Sequence, residues 1–349
     1  MKIGIIGAGG AARGIHIPAL QLCSGVEIAG VADVNPAARV EGIPFTTDYH
    51  DLLRRDDVAA IVNSTPNFLH REVTLQALRA GKHVLCEKPL GLNHAETVEM
   101  WRAAEAAGLV HMTAFTYRYA PGVQYMRALI EDGELGEIRS LRAAYLMALA
   151  GHLSGWRSER RLAGSGALAD IGSHLIHITQ FLLGRIASVT AAGRSFHSDV
   201  DYWIGFLAQF ESGVMATFEI SRVAPGRGAG ITENLFVELY GSKGGVAFSL
   251  QDPWAVSLCA GECARNPAEN LARTPVPEKF LRVPGSDRDV AAHDPRCGYC
   301  YDQDFQFVES IRMGTAREPS FRAGVECQAV LDAVLSSSDS GQWTAPAAT

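Results

Sequence analysis

Residues 7–12 read Gly-Ala-Gly-Gly-Ala-Ala, directly after the apolar run 2–7 and before a stretch with helical spacing at 11–23. This order matches the strand–turn–helix of a dinucleotide fingerprint, with Gly7, Gly9 and Ala12 at its three small-residue positions. Gly7 permits the tight turn, and Gly9 lets backbone approach a pyrophosphate. Ala12 lets helix and strand pack closely. Free N–H groups at a helix start, here around Gly10 and Ala11, then face the phosphates. A glycine pattern alone is a weak signal, and a plain turn in an unrelated α/β protein is the alternative. Asp33, at the end of the next apolar run (26–33), adds the acid that accepts hydrogen bonds from the adenosine ribose hydroxyls. A carboxylate there repels a 2′-phosphate. Val34, Asn35 and Pro36 offer no base to offset it, and Arg39 is the nearest. NAD is therefore expected over NADP.

The first ~115 residues continue this alternation, since crossover helices between short apolar strands build a parallel sheet. Strand signals fall at 59–65, 83–88 and 110–115, and helix signals at 50–57, 67–81 and 93–108. Gly81 and Gly108 stand where helix C′ residues belong, and Asn93 with Glu96 has capping-box spacing. Past residue 120 the pattern changes. A helix at 121–133, a strand at 138–149 and a helix at 166–184 precede four strand-like runs, 187–196, 201–210, 214–223 and 234–241. Successive strands without helices between them indicate an antiparallel sheet. The stretch 261–300 reads as loop, 321–338 as a closing helix, and 339–349 as a frayed tail. The expected fold is an α/β Rossmann-type dinucleotide-binding domain (1–118) plus an α+β domain (119–349).

Composition narrows the function. A net charge of −7 lacks the basic footprint that nucleic acid requires. No apolar run approaches the ~20 residues of a membrane span. The chain opens straight into strand, so no signal peptide is read, and seven cysteines are too few for a disulfide scaffold. A cytoplasmic protein that binds neither nucleic acid nor membrane is expected. Cys259, Cys263, Cys297 and Cys300 form two close pairs that suit zinc thiolate chemistry, but the first spacing is odd and the sequence between is not ribbon-like. No metal is expected. Cys86 reads as an apolar strand end.

Beyond the carboxyl ends of strands, where open α/β sheets bind ligands, lie 64–70 (STPNFLH) and 86–89 (CEKP). Lys88 is either a functional cation at a strand end or a solvated lysine. In 167–178, Asp170, His174 and His177 follow i, i+4, i+7 spacing and share a helical face. An Asp facing a His fixes the imidazole tautomer and supports proton transfer. A buried polar cluster and a metal site are the rival readings. Trp156 and Arg157 precede this helix and suit a sugar face or a closing flap. Arg118 reads as a cofactor or substrate contact or a hinge ion pair. His152, Tyr299 and Tyr301 are candidates for lining a polyol pocket.

Together the glycine loop, TPNFLH (65–70), EKP (87–89), YRYAP (117–121) and GSGALADIGSH (164–174) resemble the Gfo/Idh/MocA family of NAD(P)-dependent oxidoreductases, over essentially the whole chain. The resemblance implies a second domain with a large, open, mostly antiparallel sheet that assembles homodimers or homotetramers. It implies Lys88 as a catalytic lysine, with Asp170 and His174 as the acid and histidine of the D-x-x-x-H helix. Glu87 is similar to the residue holding the nicotinamide ribose. Asn67 and His70 match positions lining the nicotinamide side, and Thr65 and Pro66 beside them are expected cofactor contacts. The Asp33-Val34 pair is similar to that of NAD-preferring inositol dehydrogenases. His177 stands where many members have Asp, a departure that bears on how substrate hydroxyls are held.

The expected reaction oxidises a secondary hydroxyl of a sugar, cyclitol or related polyol, or reduces the keto form. His174, oriented by Asp170, takes the hydroxyl proton, while Lys88 stabilises the developing alkoxide. The reverse assignment, with Lys88 as base, is equally physical. A redox-neutral sugar-modifying enzyme with tightly held NAD and a non-catalytic nucleotide sensor are the alternatives.

Overall fold

The computed structural model describes residues 1–148, 154–226, 234–261, 270–290 and 295–349. Six short strands, β1 (Lys2–Ile6), β2 (Glu27–Ala32), β3 (Phe45–Thr46), β4 (Val58–Asn63), β5 (His83–Cys86) and β6 (His111–Thr113), form a parallel sheet in the order β3-β2-β1-β4-β5-β6. Most of their residues are buried, as expected for strands covered on both faces. Helices α1 (Ile17–Leu22), α2 (His50–Leu53), α3 (Asn67–Arg79) and α4 (His94–Ala107) supply the crossovers. The Asn93 side chain caps α4 by accepting the Glu96 N–H, and Gly108 ends it at φ 63°. Strand order reverses between β1 and β4, which opens a crevice at their carboxyl ends.

The second layer is an eight-stranded sheet. Its strands are β7 (Ile138–Leu146), β8 (Ile186–Arg194), β9 (Trp203–Phe210), β10 (Met215–Ser221), β11 (Leu235–Gly241), β12 (Gly244–Ser249), β13 (Ala255–Ala260) and β14 (Ala272–Pro275). They run in the order β14-β13-β12-β11-β7-β10-β9-β8, antiparallel except for the pair β7–β10. Period-two alternation sets its faces. Ala216, Phe218 and Ile220 point into the core, and Met215, Thr217 and Glu219 point out. The inner face packs with α5 (Pro121–Glu131) and α7 (Ser173–Leu183) in one apolar core; α6 (Arg160–Ala163) lies between β7 and α7 in the chain.

Four readings are corrected here. The helix of 166–184 divides into a π-helical turn, Leu168–Gly172, and α7. The segment 11–23 likewise begins with a π-helical turn, Ala12–His16, ahead of α1. The stretch read as loop holds edge strand β14 and the start of α8 (Pro295–Met313). β14 is too short for a periodic signal, and α8 buries Asp302, Gln303 and Asp304, which breaks the apolar stripe that reveals a helix. The tail is anchored: α9 (Phe321–Ser340) runs past residue 338, and Thr344 exchanges backbone hydrogen bonds of 2.8 and 2.9 Å with Val189. Helix α8 returns to the first sheet, where Tyr301, Phe305, Phe307 and Val308 share a core with β1 and α1. No helix among the described residues is long and apolar enough to cross a membrane.

Candidate active site

A cavity of about 690 Å³ opens at the carboxyl ends of β1, β2, β4 and β5. Its floor is the glycine loop. Gly7 has φ 92°, and a Cβ there would meet the Ser64 carbonyl oxygen at 2.4 Å, so only glycine fits. Gly9, Gly10 and Gly14 face open space, leaving bare backbone for a pyrophosphate. Asp33 accepts hydrogen bonds from the Ala8 N–H (2.8 Å) and the Asn35 N–H (2.9 Å), which fixes its carboxylate at the cavity wall. Backbone clearance, a fixed carboxylate and a cavity of this size fit a nicotinamide dinucleotide.

At the far end, Lys88 extends from the turn after β5 to the π-helical turn before α7. Its Nζ donates to the Asp170 carbonyl oxygen at 2.7 Å and lies 3.7 Å from Asp170 Oδ1. Arg222, just past β10, pairs with the other carboxylate oxygen, Oδ2. Burial would raise the Asp170 pKa, but Lys88, Arg222 and Arg157 together hold it below the usual carboxylate value. The turn itself is pinned by Asp201, whose carboxylate accepts the Gly166 and Leu168 N–H groups at 2.7 Å each.

His174 sits on the first turn of α7 with its ring 4.2 Å from Tyr117, and its buried Nδ1 has no hydrogen-bond partner. Burial, then the neighbouring Lys88 and His177, push its pKa well below the ordinary 6.5. The imidazole is therefore neutral near pH 7. No hydrogen bond joins Asp170 to His174, so the expected orienting contact is corrected. The Asp170 carboxylate faces Lys88 and Arg222 instead.

Behind the cavity lies a buried relay. His16, fully enclosed, places Nδ1 2.9 Å from Asp304 and Nε2 3.2 Å from Glu87. Burial opposes charge on this ring, but the two carboxylates outweigh it and raise its pKa to about 10. Glu87 is held low in turn: burial opposes, while His16 and Lys88 prevail. Gln303 extends the relay, donating to Asp304 and accepting from the Thr116 hydroxyl.

The structure brings Gly7, Gly9, Gly10, Ala11, Asp33, Thr65, Pro66, Asn67, His70, Glu87, Lys88, Trp156, Arg157, Asp170, His174 and Tyr299 around one cavity. Within it, Asn67 donates to the Ala163 carbonyl, and both His70 ring nitrogens meet the carbonyls of Pro89 and Thr65. Three expectations are corrected. Arg118 stacks its guanidinium 4.1 Å over Phe181, away from the cavity. His177 stacks on Phe115 at 3.9 Å and is buried behind the wall. Tyr301 donates to Asp287 rather than lining a pocket. Ala12 is a packing position, fully buried under the loop. His152 lies outside the described residues, as does Cys263 of the cysteine pairs. Among the described residues no group of three or more His, Cys, Asp or Glu side chains is placed to hold a metal. Sequence reasoning missed Arg222, Thr116, Tyr117, His16 and Asp304. Arg222 carried a signal in its position at a strand end, and Tyr117 in the 117–121 motif.

A dinucleotide cradle that opens onto a lysine and a neutral histidine defines a nicotinamide-dependent oxidoreductase. Residues 1–115 match the oxidoreductase family NAD-binding Rossmann fold, and residues 123–247 match the GFO/IDH/MocA C-terminal domain. The chain belongs to the Gfo/Idh/MocA oxidoreductase family. It is 28% identical to levoglucosan dehydrogenase from Pseudarthrobacter phenanthrenivorans, over 90% of this chain and 88% of that one. It is 37% identical to 1,5-anhydro-D-fructose reductase from Ensifer adhaerens, over 62% of this chain and 67% of that one. The solved structure of levoglucosan dehydrogenase with NADH and levoglucosan superposes over 100% of both chains at TM-score 0.88 and 25% identity.

Proposed function

We propose that this protein is an NAD-dependent dehydrogenase acting on a secondary hydroxyl of a sugar, cyclitol or related polyol, or on the keto form in reverse. The observation that carries the reading is one cavity holding the glycine cradle and Asp33 at one end, and Lys88 with a neutral, unpartnered His174 at the other. The named activities of its relatives on anhydro-sugars support the substrate class.

NAD, when bound by the Gly7–Ala11 backbone and Asp33, supplies the hydride acceptor. His174 takes the hydroxyl proton of the substrate, since a neutral imidazole on the cavity wall is the available base. Lys88 donates a hydrogen bond to the same oxygen and stabilises negative charge as it develops. Asp170 holds the Lys88 ammonium in place and balances its charge. Asp33 disfavours a 2′-phosphate, while Arg39 is engaged over the Phe45 ring at 5.3 Å. Assembly into a homodimer or homotetramer belongs to the same proposal, with exposed Leu207, Met215 and Tyr240 on the outer sheet as its contact face; light scattering tests it.

The test is absorbance of NADH formed from NAD, and separately NADPH from NADP, with a panel of inositols, aldoses, anhydro-sugars and sugar acids. A rise with NAD and one polyol class is expected. No rise with any member, together with NAD recovered from denatured protein, would transfer the assignment to a redox-neutral sugar-modifying enzyme.

A further inference from the structure

The substrate end of the cavity is electrically lopsided. Lys88, Arg157 and Arg222 all act on one carboxylate, Asp170. Glu87, the other acid near Lys88, is already met by His16 across a buried contact. His174 and His70 add no negative charge. Asp33 stands at the adenosine end. His16 also faces Asp304, so its one charge is shared between two carboxylates, and one positive charge is left over among these groups.

Arg222 is the sharper observation. Its side chain is nine-tenths buried, yet its Nε has no hydrogen-bond partner, although the residue lines the cavity. The Nε is enclosed in the wall without an acceptor, so Asp170 meets only part of the donor capacity of this guanidinium. Arg157, exposed at the mouth and stacked 4.2 Å over the Trp156 ring, presents a second guanidinium to the same space. Planar guanidinium groups suit carboxylate and phosphate oxygens better than neutral hydroxyls.

We propose that Arg222, with Arg157, selects a sugar that carries an anionic group, a carboxylate or a phosphate ester. The inference deepens the sugar-dehydrogenase reading and rests on it for the identity of the ligand scaffold. Arg222 is then a specificity-determining residue: it holds the anion while Lys88 and His174 engage the reacting hydroxyl.

The experiment titrates NAD-loaded protein calorimetrically with D-glucose, D-gluconate, D-glucuronate and D-glucose 6-phosphate, and follows NADH formation with the same four. Tighter binding of at least one anionic sugar than of glucose, by 10-fold or more, is expected. Preference for the acids alone assigns a carboxylate, and preference for the ester alone assigns a phosphate. In Arg222→Gln and Arg157→Gln, the anionic-to-neutral affinity ratio should fall at least 10-fold, with NAD affinity and thermal unfolding confirming intact protein. Should Arg222→Gln fail to fold, Arg157→Gln and Arg222→Lys carry the comparison. Equal binding of glucose and the anions, no binding by any anionic sugar, or an unchanged ratio in the variants overturns the inference. Selective anion binding without NADH from any sugar would instead fault the hydride-transfer reading alone.

Discussion

Lys88 and Asp170 stand 82 positions apart in the chain, yet the lysine Nζ lies 2.7 Å from the Asp170 carbonyl oxygen and 3.7 Å from its carboxylate. This contact joins the end of a Rossmann strand to the helix entry of the second layer. It also makes Asp170 the partner of two cations rather than of His174.

Lys88→Ala and His174→Ala should each lower kcat by about 10²–10⁴-fold, the range for a positioned proton-transfer or charge-stabilising group. NAD affinity should stay within a few-fold of wild type, because the glycine cradle and Asp33 are untouched. Steady-state kinetics beside NADH-fluorescence titration measures both. Full turnover in either variant removes that residue from the chemistry.

The pH profile separates the two bases. The pKa of His174 is depressed by burial and by Lys88 and His177, so it stays neutral well below its ordinary 6.5. The acid limb of kcat/KM for oxidation should therefore fall below that value. A half-maximal point at or above pH 7 would contradict a buried His174 as base.

His16 should matter more to folding than to contact with reactants. Replacing it with Leu leaves Glu87 and Asp304 buried without their shared partner, and should cost about 3–5 kcal/mol, as for other broken buried pairs. The sign with pH is fixed by its raised pKa. The His16 contribution is complete below about 6.5 and is lost as pH rises through about 10. Urea unfolding between pH 6 and 10 should thus show wild type losing stability faster than His16→Leu; parallel slopes would contradict the charged relay.

Gly166→Ala tests positioning without touching any reacting group. A Cβ there would lie 2.0 Å from the Asp201 carbonyl oxygen, displacing the turn that presents Asp170. Turnover should drop by roughly 10-fold or more with NAD affinity retained, as small displacements from productive geometry are costly. Unchanged turnover would show that the Asp201 anchor does not govern the site.

Asp33→Ser should weaken NAD binding by roughly 10-fold, the scale of one lost charge-assisted hydrogen bond of about 1.5 kcal/mol. It should also narrow the NAD-to-NADP preference, because the repulsion of a 2′-phosphate is gone. Equal discrimination in the variant would place cofactor choice elsewhere.

The chain by itself determined much of this protein. Short apolar strands alternating with capped helices dictate a parallel sheet, because its strands bury both faces and its crossovers need helices. The glycine loop marks the phosphate end, since only bare backbone lets a phosphate approach. Lys88, Asp170 and His174 were legible as chemistry-bearing residue types at strand ends and on one helix.

Their partners were not, and the reason is physical. Charge pairing depends on distance in space, so Arg222 and Asp170, 52 positions apart, carry no mutual signal in the sequence. Buried polar residues such as Asp302, Gln303 and Asp304 break the apolar stripe that betrays a helix, which hid α8 and with it the His16–Glu87–Asp304 relay. The Asp170 carboxylate faces Lys88 and Arg222 rather than His174, a choice that periodicity does not reveal. Local pattern sets the elements. Packing of elements far apart in the chain decided which charges meet, and so what the cavity can bind.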